Sequence, residues 1–145
     1  MTLYIFFLLL VSHVLGDVVF TSYRLAVLKR SERISDQLLA ISFHSSVHAF
    51  FAAVILLVLG RHWLKGCLLL LFLHFAIDFL RCRVEMSLYG SGRIHVKRSE
   101  LFAWVSGKGG NPEKMRVSEL WPWFSIHFFD QSAHLVSLYW IARVV

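Results

Sequence analysis

The chain has 145 residues, of which 57% are hydrophobic and 17% are charged, and its formal net charge is +6. Soluble domains carry roughly 25% charged residues, so this composition excludes an ordinary soluble enzyme. Few prolines and glycines and no low-complexity segment exclude a disordered chain. The apolar residues come in blocks long enough to cross a bilayer, and membrane insertion is therefore the first prediction.

Four apolar blocks predict four membrane-spanning α-helices, at about residues 3–23, 37–59, 63–80 and 121–141. The first block has no basic residue before it, so we interpret it as a retained helix and not as a cleaved signal peptide. Ser35 or Asp36 is the expected N-cap of the second helix, and Gly60 marks its end. Aromatic residues at both ends of the fourth block are typical of the two membrane interfaces.

Basic residues are unevenly distributed among the connections between these helices. Twelve of the fifteen lie after the first and third helices, and the others are Arg61, Lys65 and Arg143. Because cytoplasmic loops carry the excess of positive charge, both termini are expected to face outward from the membrane and residues 82–120 are expected in the cytoplasm. The predicted fold is an all-α integral protein of the inner membrane, a four-transmembrane-helix bundle with a basic cytoplasmic loop between the third and fourth helices. Its charge matches anionic lipid headgroups, which makes lipids the expected partners and nucleic acid an unlikely one.

Each predicted span carries two ionisable residues four positions apart. The pairs are His13 and Asp17, His44 and His48, His74 and Asp78, and Asp130 and His134. Four residues of an α-helix turn through about 400°, so both members of a pair project from one face. The pairs also lie at similar depths when counted from the predicted cytoplasmic ends. They are therefore expected to meet inside the bundle.

These eight side chains are typical ligands of a divalent metal. Five imidazoles and three carboxylates are too many for one tetrahedral zinc ion, so we predict two ions, zinc, manganese or iron, with all eight residues as ligands. An open coordination position on such a metal lowers the pKa of bound water toward about 7, which is the chemistry of hydrolysis. Asp17, Asp78 and Asp130 are the candidate catalytic carboxylates, one of them serving as general base.

Arginines near the predicted cytoplasmic mouth are candidates for binding a phosphate-bearing substrate. They are Arg24, Arg81 and Arg83, although the bias of positive charge toward the cytoplasm also accounts for their position. The cluster itself admits two other interpretations, a pathway for protons or ions and a set of structural polar contacts. Association of the chain into a homo-oligomer is also left open.

The order and spacing of the pairs resemble a bacterial inner-membrane family known as domain of unknown function 3307. The motifs that carry the resemblance are His13-x3-Asp17, the histidines of the second helix, His74-Phe75-Ala76-Ile77-Asp78 and Asp130-Gln131-x2-His134. The resemblance covers nearly the whole chain and strengthens the metal site, but it implies no reaction. The chain is more loosely similar to inner-membrane metal-dependent hydrolases of the YdjM type, which carry His and Asp on membrane helices.

These observations together favour an intramembrane metal-dependent hydrolase that acts on a lipid or lipid-linked phosphoester from the cytoplasmic leaflet. The first alternative is a transporter or channel for protons or metal ions that uses the same His/Asp cluster. The second is a non-catalytic interaction protein in which the metal is structural and only holds a small helix bundle together.

Overall fold

The structure is a computed structural model that describes residues 1–91, 106 and 117–145. Over this part of the chain it is helical, with α1 Thr2–Val19, α2 Tyr23–Leu28, α3 Ile34–Val58, α4 Trp63–Tyr89 and α5 Val117–Val144. The predicted all-α fold is confirmed. By length and composition α1, α3 and α4 are able to cross a membrane, which indicates a membrane protein.

The four long helices pack in a closed ring. Helix α3 contacts α1 and α4, and α5 contacts the same two helices from the other side. One end of the ring is filled by an apolar layer, which includes Leu9 of α1, Leu56 of α3, Leu70 of α4 and Leu138 of α5. Because successive long helices run in opposite directions, this layer lies toward the start of α1 and α4 and toward the end of α3 and α5. The other end of the ring is left for the polar residues.

A break separates α1 from the short helix α2. The sequence predicted a single helix over 3–23, but α1 ends at Val19. A second helix then begins because the Ser22 hydroxyl accepts a hydrogen bond of 3.2 Å from the backbone N–H of Leu25. An N-cap of this kind satisfies one of the unpaired N–H groups of the first turn, and it allows the chain to change direction.

Helix α3 begins before the predicted 37–59 segment. Its N-cap is Arg33, so the expected caps Ser35 and Asp36 lie within the first turn. Asp36 is still favourable there, because a negative charge in the first turn stabilises the positive end of the helix dipole. The end of the helix at Val58 agrees with the prediction, and Gly60 follows with a φ of 64°.

Helix α4 continues to Tyr89, well past the predicted end at residue 80. The predicted span ended just before Arg81, but Arg81 and Glu85 are paired inside the ring, as described below. Helix α5 in turn begins at Val117, before the predicted 121–141 segment. The predicted loop 82–120 is therefore shorter at both ends, and most of it, residues 92–105 and 107–116, lies outside the described residues.

Candidate metal centre

The structure brings together all eight residues that were predicted as metal ligands. Helix α1 contributes His13 and Asp17, α3 contributes His44 and His48, α4 contributes His74 and Asp78, and α5 contributes Asp130 and His134. Seven of the eight are buried, and the Asp17 side chain is 30% exposed. We use the term histidine cluster for the five histidines and Asp17, which occupy the middle of the ring.

The tightest part of the histidine cluster surrounds Asp17. Its Oδ1 lies 3.1 Å from His44 Nε2 and 3.4 Å from His48 Nε2, and these two nitrogens are 3.2 Å apart. The His74 ring stacks on His48 with centroids 4.1 Å apart. One ligand atom from each of these four residues lies within 4.8 Å of the others. Small side-chain shifts would therefore allow the four atoms to bind one ion at the usual distances of 2.0–2.2 Å.

Several imidazole nitrogens in the cluster are buried without a hydrogen-bond partner among the described residues. Both ring nitrogens of His13 and His74 are in this state, as is Nδ1 of His48 and His134. Buried polar atoms in proteins nearly always have a partner. Neutral imidazole nitrogens also suit zinc, manganese and iron, so the donor set fits a divalent metal.

Gly16 determines how closely α1 approaches the cluster. A Cβ atom at this position would lie 2.5 Å from Cε1 of His48, a distance that atoms do not tolerate. Small residues permit such close approach between membrane helices. Gly16 was not predicted to belong to the site, because the approach of a second helix leaves no periodic signal in the sequence.

Beside the histidine cluster lies a charge network of three cations and three carboxylates. Its members are Lys29, Arg30, Asp78, Arg81, Glu85 and Asp130. The positive and negative charges are equal in number, which is the condition under which charged groups are tolerated in a protein interior.

Asp78 is bound from both sides within this network. Its Oδ2 accepts a hydrogen bond of 2.5 Å from Lys29 Nζ, and its Oδ1 accepts one of 3.0 Å from Arg81 Nη2. Burial lowers the pKa of the Lys29 ammonium below its ordinary value, and the negative charge of Asp78 limits that shift. Glu85 is held in the same manner by Arg30 and Arg81.

Asp130 joins the charge network to the histidine cluster. Its Oδ2 accepts a hydrogen bond of 3.0 Å from the Gln131 amide. Its Oδ1 lies 3.1 Å from Arg81 Nε, without the alignment of a hydrogen bond, and 3.6 Å from His134 Nε2, which is too long for one. Asp130 is therefore a buried carboxylate with one oxygen that accepts no hydrogen bond from the described residues.

The three arginines predicted to bind substrate are found in different environments. Arg81 lies inside the ring with its side chain 12% exposed, whereas Arg24 and Arg83 are exposed. The prediction that Arg81 lies in the connection after the third helix is wrong, because α4 continues past it and brings its guanidinium against Asp78 and Asp130.

Three members of the charge network were missed by the sequence analysis. Glu85 carried a usable signal, since it follows Asp78 and Arg81 at helical spacing on one face of α4. Lys29 and Arg30 carried none, because they lie at the turn after α2 and only the fold brings them against α4.

Comparison with known proteins agrees with the resemblance seen in the motifs. The model of the family described as "Protein of unknown function (DUF3307)" matches residues 5–145, a range that includes every residue of the histidine cluster and of the charge network. No curated protein and no solved structure matches the chain. The looser similarity to YdjM-type hydrolases stays a prediction.

Proposed function

The chain belongs to the DUF3307 family, and we propose that it is an intramembrane metal-dependent hydrolase acting on a lipid or lipid-linked phosphoester at the cytoplasmic leaflet. The observation that carries this proposal is the meeting of five histidines and three aspartates in the interior of the helix ring. Imidazole nitrogens without hydrogen-bond partners among the described residues support it, because a metal ion would satisfy them.

The proposed ligands are the eight residues of the sequence prediction, and the metal is zinc, manganese or iron. When bound, it supplies a Lewis acid and lowers the pKa of a water molecule. Asp130 is the best candidate for the general base, since its Oδ1 is buried and accepts no hydrogen bond from the described residues. Of the other two candidates, Asp78 already accepts hydrogen bonds at both oxygens, and Asp17 Oδ1 lies within 3.4 Å of two histidine nitrogens.

We propose that α5 is the fourth membrane span and that both termini face outward across the inner membrane. At 28 residues α5 is long enough, since a helix of this length extends about 42 Å. The excess of basic residues in the connections after α2 and α4 supports a cytoplasmic position for both. The histidine cluster and the charge network then lie toward the cytoplasmic leaflet.

The partial exposure of Asp17 supports access from the lipid phase. Its side chain is 30% exposed, whereas the other members of the histidine cluster are buried. Thr21, just beyond the end of α1, lies 3.3 Å from His44 with its hydroxyl oxygen next to the ring Nδ1. The polar side of the cluster thus reaches the surface near the end of α1, where a lipid headgroup would approach it.

Turnover of phosphoester lipids by the purified protein tests the proposal. We expect His48→Ala and Asp130→Ala to abolish hydrolysis without affecting membrane insertion, because they remove a ligand and the proposed base. Ser46→Ala is the matched control, since Ser46 is exposed on α3 and donates only to the Ser42 carbonyl of its own helix. Wild-type turnover in either of the first two variants would contradict the assignment.

A proton or metal-ion transporter is the second candidate, and one observation favours it. The charge network continues the histidine cluster, so ionisable groups follow one another through the interior from His48 to Glu85. Ion flux into proteoliposomes that is lost in His48→Ala would support this function. If inactive variants still complement a deletion strain, the metal has only a structural role in holding the bundle together.

A further inference from the structure

We infer that the protein binds a single metal ion in its histidine cluster, and that Lys29 and Arg81 provide the positive charge where a second ion would otherwise bind. This inference rests on the proposed function and replaces its second metal ion with two side chains.

Three groups of side chains have ligand atoms close enough to bind an ion. They are Asp17 with His44, His48 and His74; His13 with His74 and His134; and Asp78 with Asp130 and His134. The first two groups share His74, so they are alternatives for the same ion or parts of one site. The third group is the place where a second ion would have to bind.

Both carboxylates of the third group already contact cations. Asp78 accepts hydrogen bonds from Lys29 at 2.5 Å and from Arg81 at 3.0 Å. Asp130 Oδ1 lies 3.1 Å from the Nε of the same arginine. A metal ion at these oxygens would have to displace both cations or lie beside them.

Charge balance leads to the same conclusion. The charge network is neutral, with three cations facing three carboxylates, and a divalent ion would leave two uncompensated positive charges in a buried region. The histidine cluster is different, because His13 and His74 have nitrogens without hydrogen-bond partners among the described residues. A first ion therefore has a clear place to bind, and a second ion does not.

The two cations are also suited to the task of a second metal. In two-metal phosphoester hydrolysis, each ion stabilises negative charge on an oxygen of the reacting phosphoryl group. An ammonium and a guanidinium held inside a protein stabilise such charge by charge-assisted hydrogen bonds. Lys29 and Arg81 lie on the side of the cluster formed by Asp78, where they would face a phosphate bound to the metal.

The metal-to-protein ratio of the detergent-purified protein tests the inference. We expect one equivalent after loading with zinc or manganese and dialysis, measured by plasma mass spectrometry. Two equivalents would overturn the inference and leave the proposed function intact. No bound metal would overturn the proposed function itself, so the two failures are distinguishable.

Variants identify where the ion binds. Asp130→Asn should keep one equivalent, whereas His48→Ala should lose it; the opposite result in either variant would overturn the inference.

The double variant Lys29→Met/Arg81→Met should bind a second equivalent, since it leaves Asp78 and Asp130 without their cations. Arg30→Met is the matched control, because Arg30 lies in the same turn but pairs with Glu85. This variant should still bind one equivalent of metal. A folded double variant that also stays at one would contradict the role given to Lys29 and Arg81.

Discussion

At the scale of single residues, the three aspartates inside the helix ring present the main energetic problem of this protein. Each costs about 2.5–3.5 kcal/mol at the centre of a membrane helix. The structure shows a different compensation for each of them. Asp78 is bound by Lys29 and Arg81, Asp17 lies next to two histidines, and Asp130 accepts a hydrogen bond from Gln131. Asp130 keeps a buried oxygen that accepts no hydrogen bond from the described residues, which is why we assign it the role of base.

Gly16 offers a test of the cluster that changes no ligand. In Gly16→Ala the new methyl group would lie 2.5 Å from the His48 ring, so the ring or helix α1 has to move. We expect metal affinity to fall at least tenfold, and stability to fall by about 1–3 kcal/mol, which is typical of an overpacked interior. Metal titration and thermal unfolding in detergent measure the two effects separately.

Gly66→Ala is the matched control for this substitution. Its Cβ would lie 2.2 Å from Cδ1 of Leu56, in the apolar layer and away from the histidines. We expect a similar loss of stability with unchanged metal affinity. Equal metal affinity in the two variants would show that Gly16 has no special relation to the site.

At the scale of elements, the turn after α2 is held to the bundle by polar contacts. Lys29 and Arg30 reach Asp78 and Glu85 on α4, and the Gln37 side chain of α3 donates a hydrogen bond of 3.0 Å to the Lys29 carbonyl. No side chain of α2 itself is buried. Buried ion pairs therefore contribute to holding this turn against the bundle.

Removal of one partner from such a pair should be costly. Arg30→Met leaves Glu85 with Arg81 as its remaining cation, and we expect a loss of about 3–5 kcal/mol, the range for breaking a buried ion pair. Arg24→Met, an exposed arginine of α2, should change stability by less than about 0.5 kcal/mol. Thermal unfolding in detergent measures the stability of the two variants.

The double variant Arg30→Met/Glu85→Gln removes both charges of the same pair. It should recover much of the lost stability, because no unpaired charge is left buried. A single Arg30→Met variant as stable as the wild type would show that the turn is held by something other than this pair.

At the scale of the whole molecule, the helix ring has an apolar end and a polar end. Leu9, Leu56 and Leu138 lie in the apolar layer, whereas the histidine cluster and the charge network occupy the rest of the interior. Large apolar side chains cover the outside, including Phe43 and Phe72, which are 58% and 70% exposed. This arrangement is the one expected of a protein whose outer surface meets lipid and whose polar groups meet one another.

The orientation of the bundle can be tested by cysteine labelling. Arg33 and His62 are exposed N-caps of α3 and α4, and neither side chain makes a capping hydrogen bond. In a Cys67→Ala background, we expect His62→Cys to react with a membrane-impermeant maleimide in intact cells, and Arg33→Cys to react only after the membrane is opened. The reverse pattern would mean that the termini face the cytoplasm.

Much of the candidate site was predictable because helices repeat every 3.6 residues. Two polar residues four positions apart must share a face, so the pairs on α1, α3, α4 and α5 could be identified before their helices were placed. Helix ends were less predictable. A span defined by apolar residues stops where charged residues become frequent, and this rule fails on α4, where Arg81 and Glu85 have partners inside the ring.

The sequence by itself determined the all-α class, the long apolar helices and the His/Asp pairs that the structure brings together, since these depend on composition and local periodicity. Only the tertiary structure showed that Lys29 and Arg30 reach Asp78 and Glu85, and that Gly16 makes room for His48. These contacts join residues that are far apart in the chain. Their existence depends on the packing of α1 and α4 around α3, which no local pattern encodes.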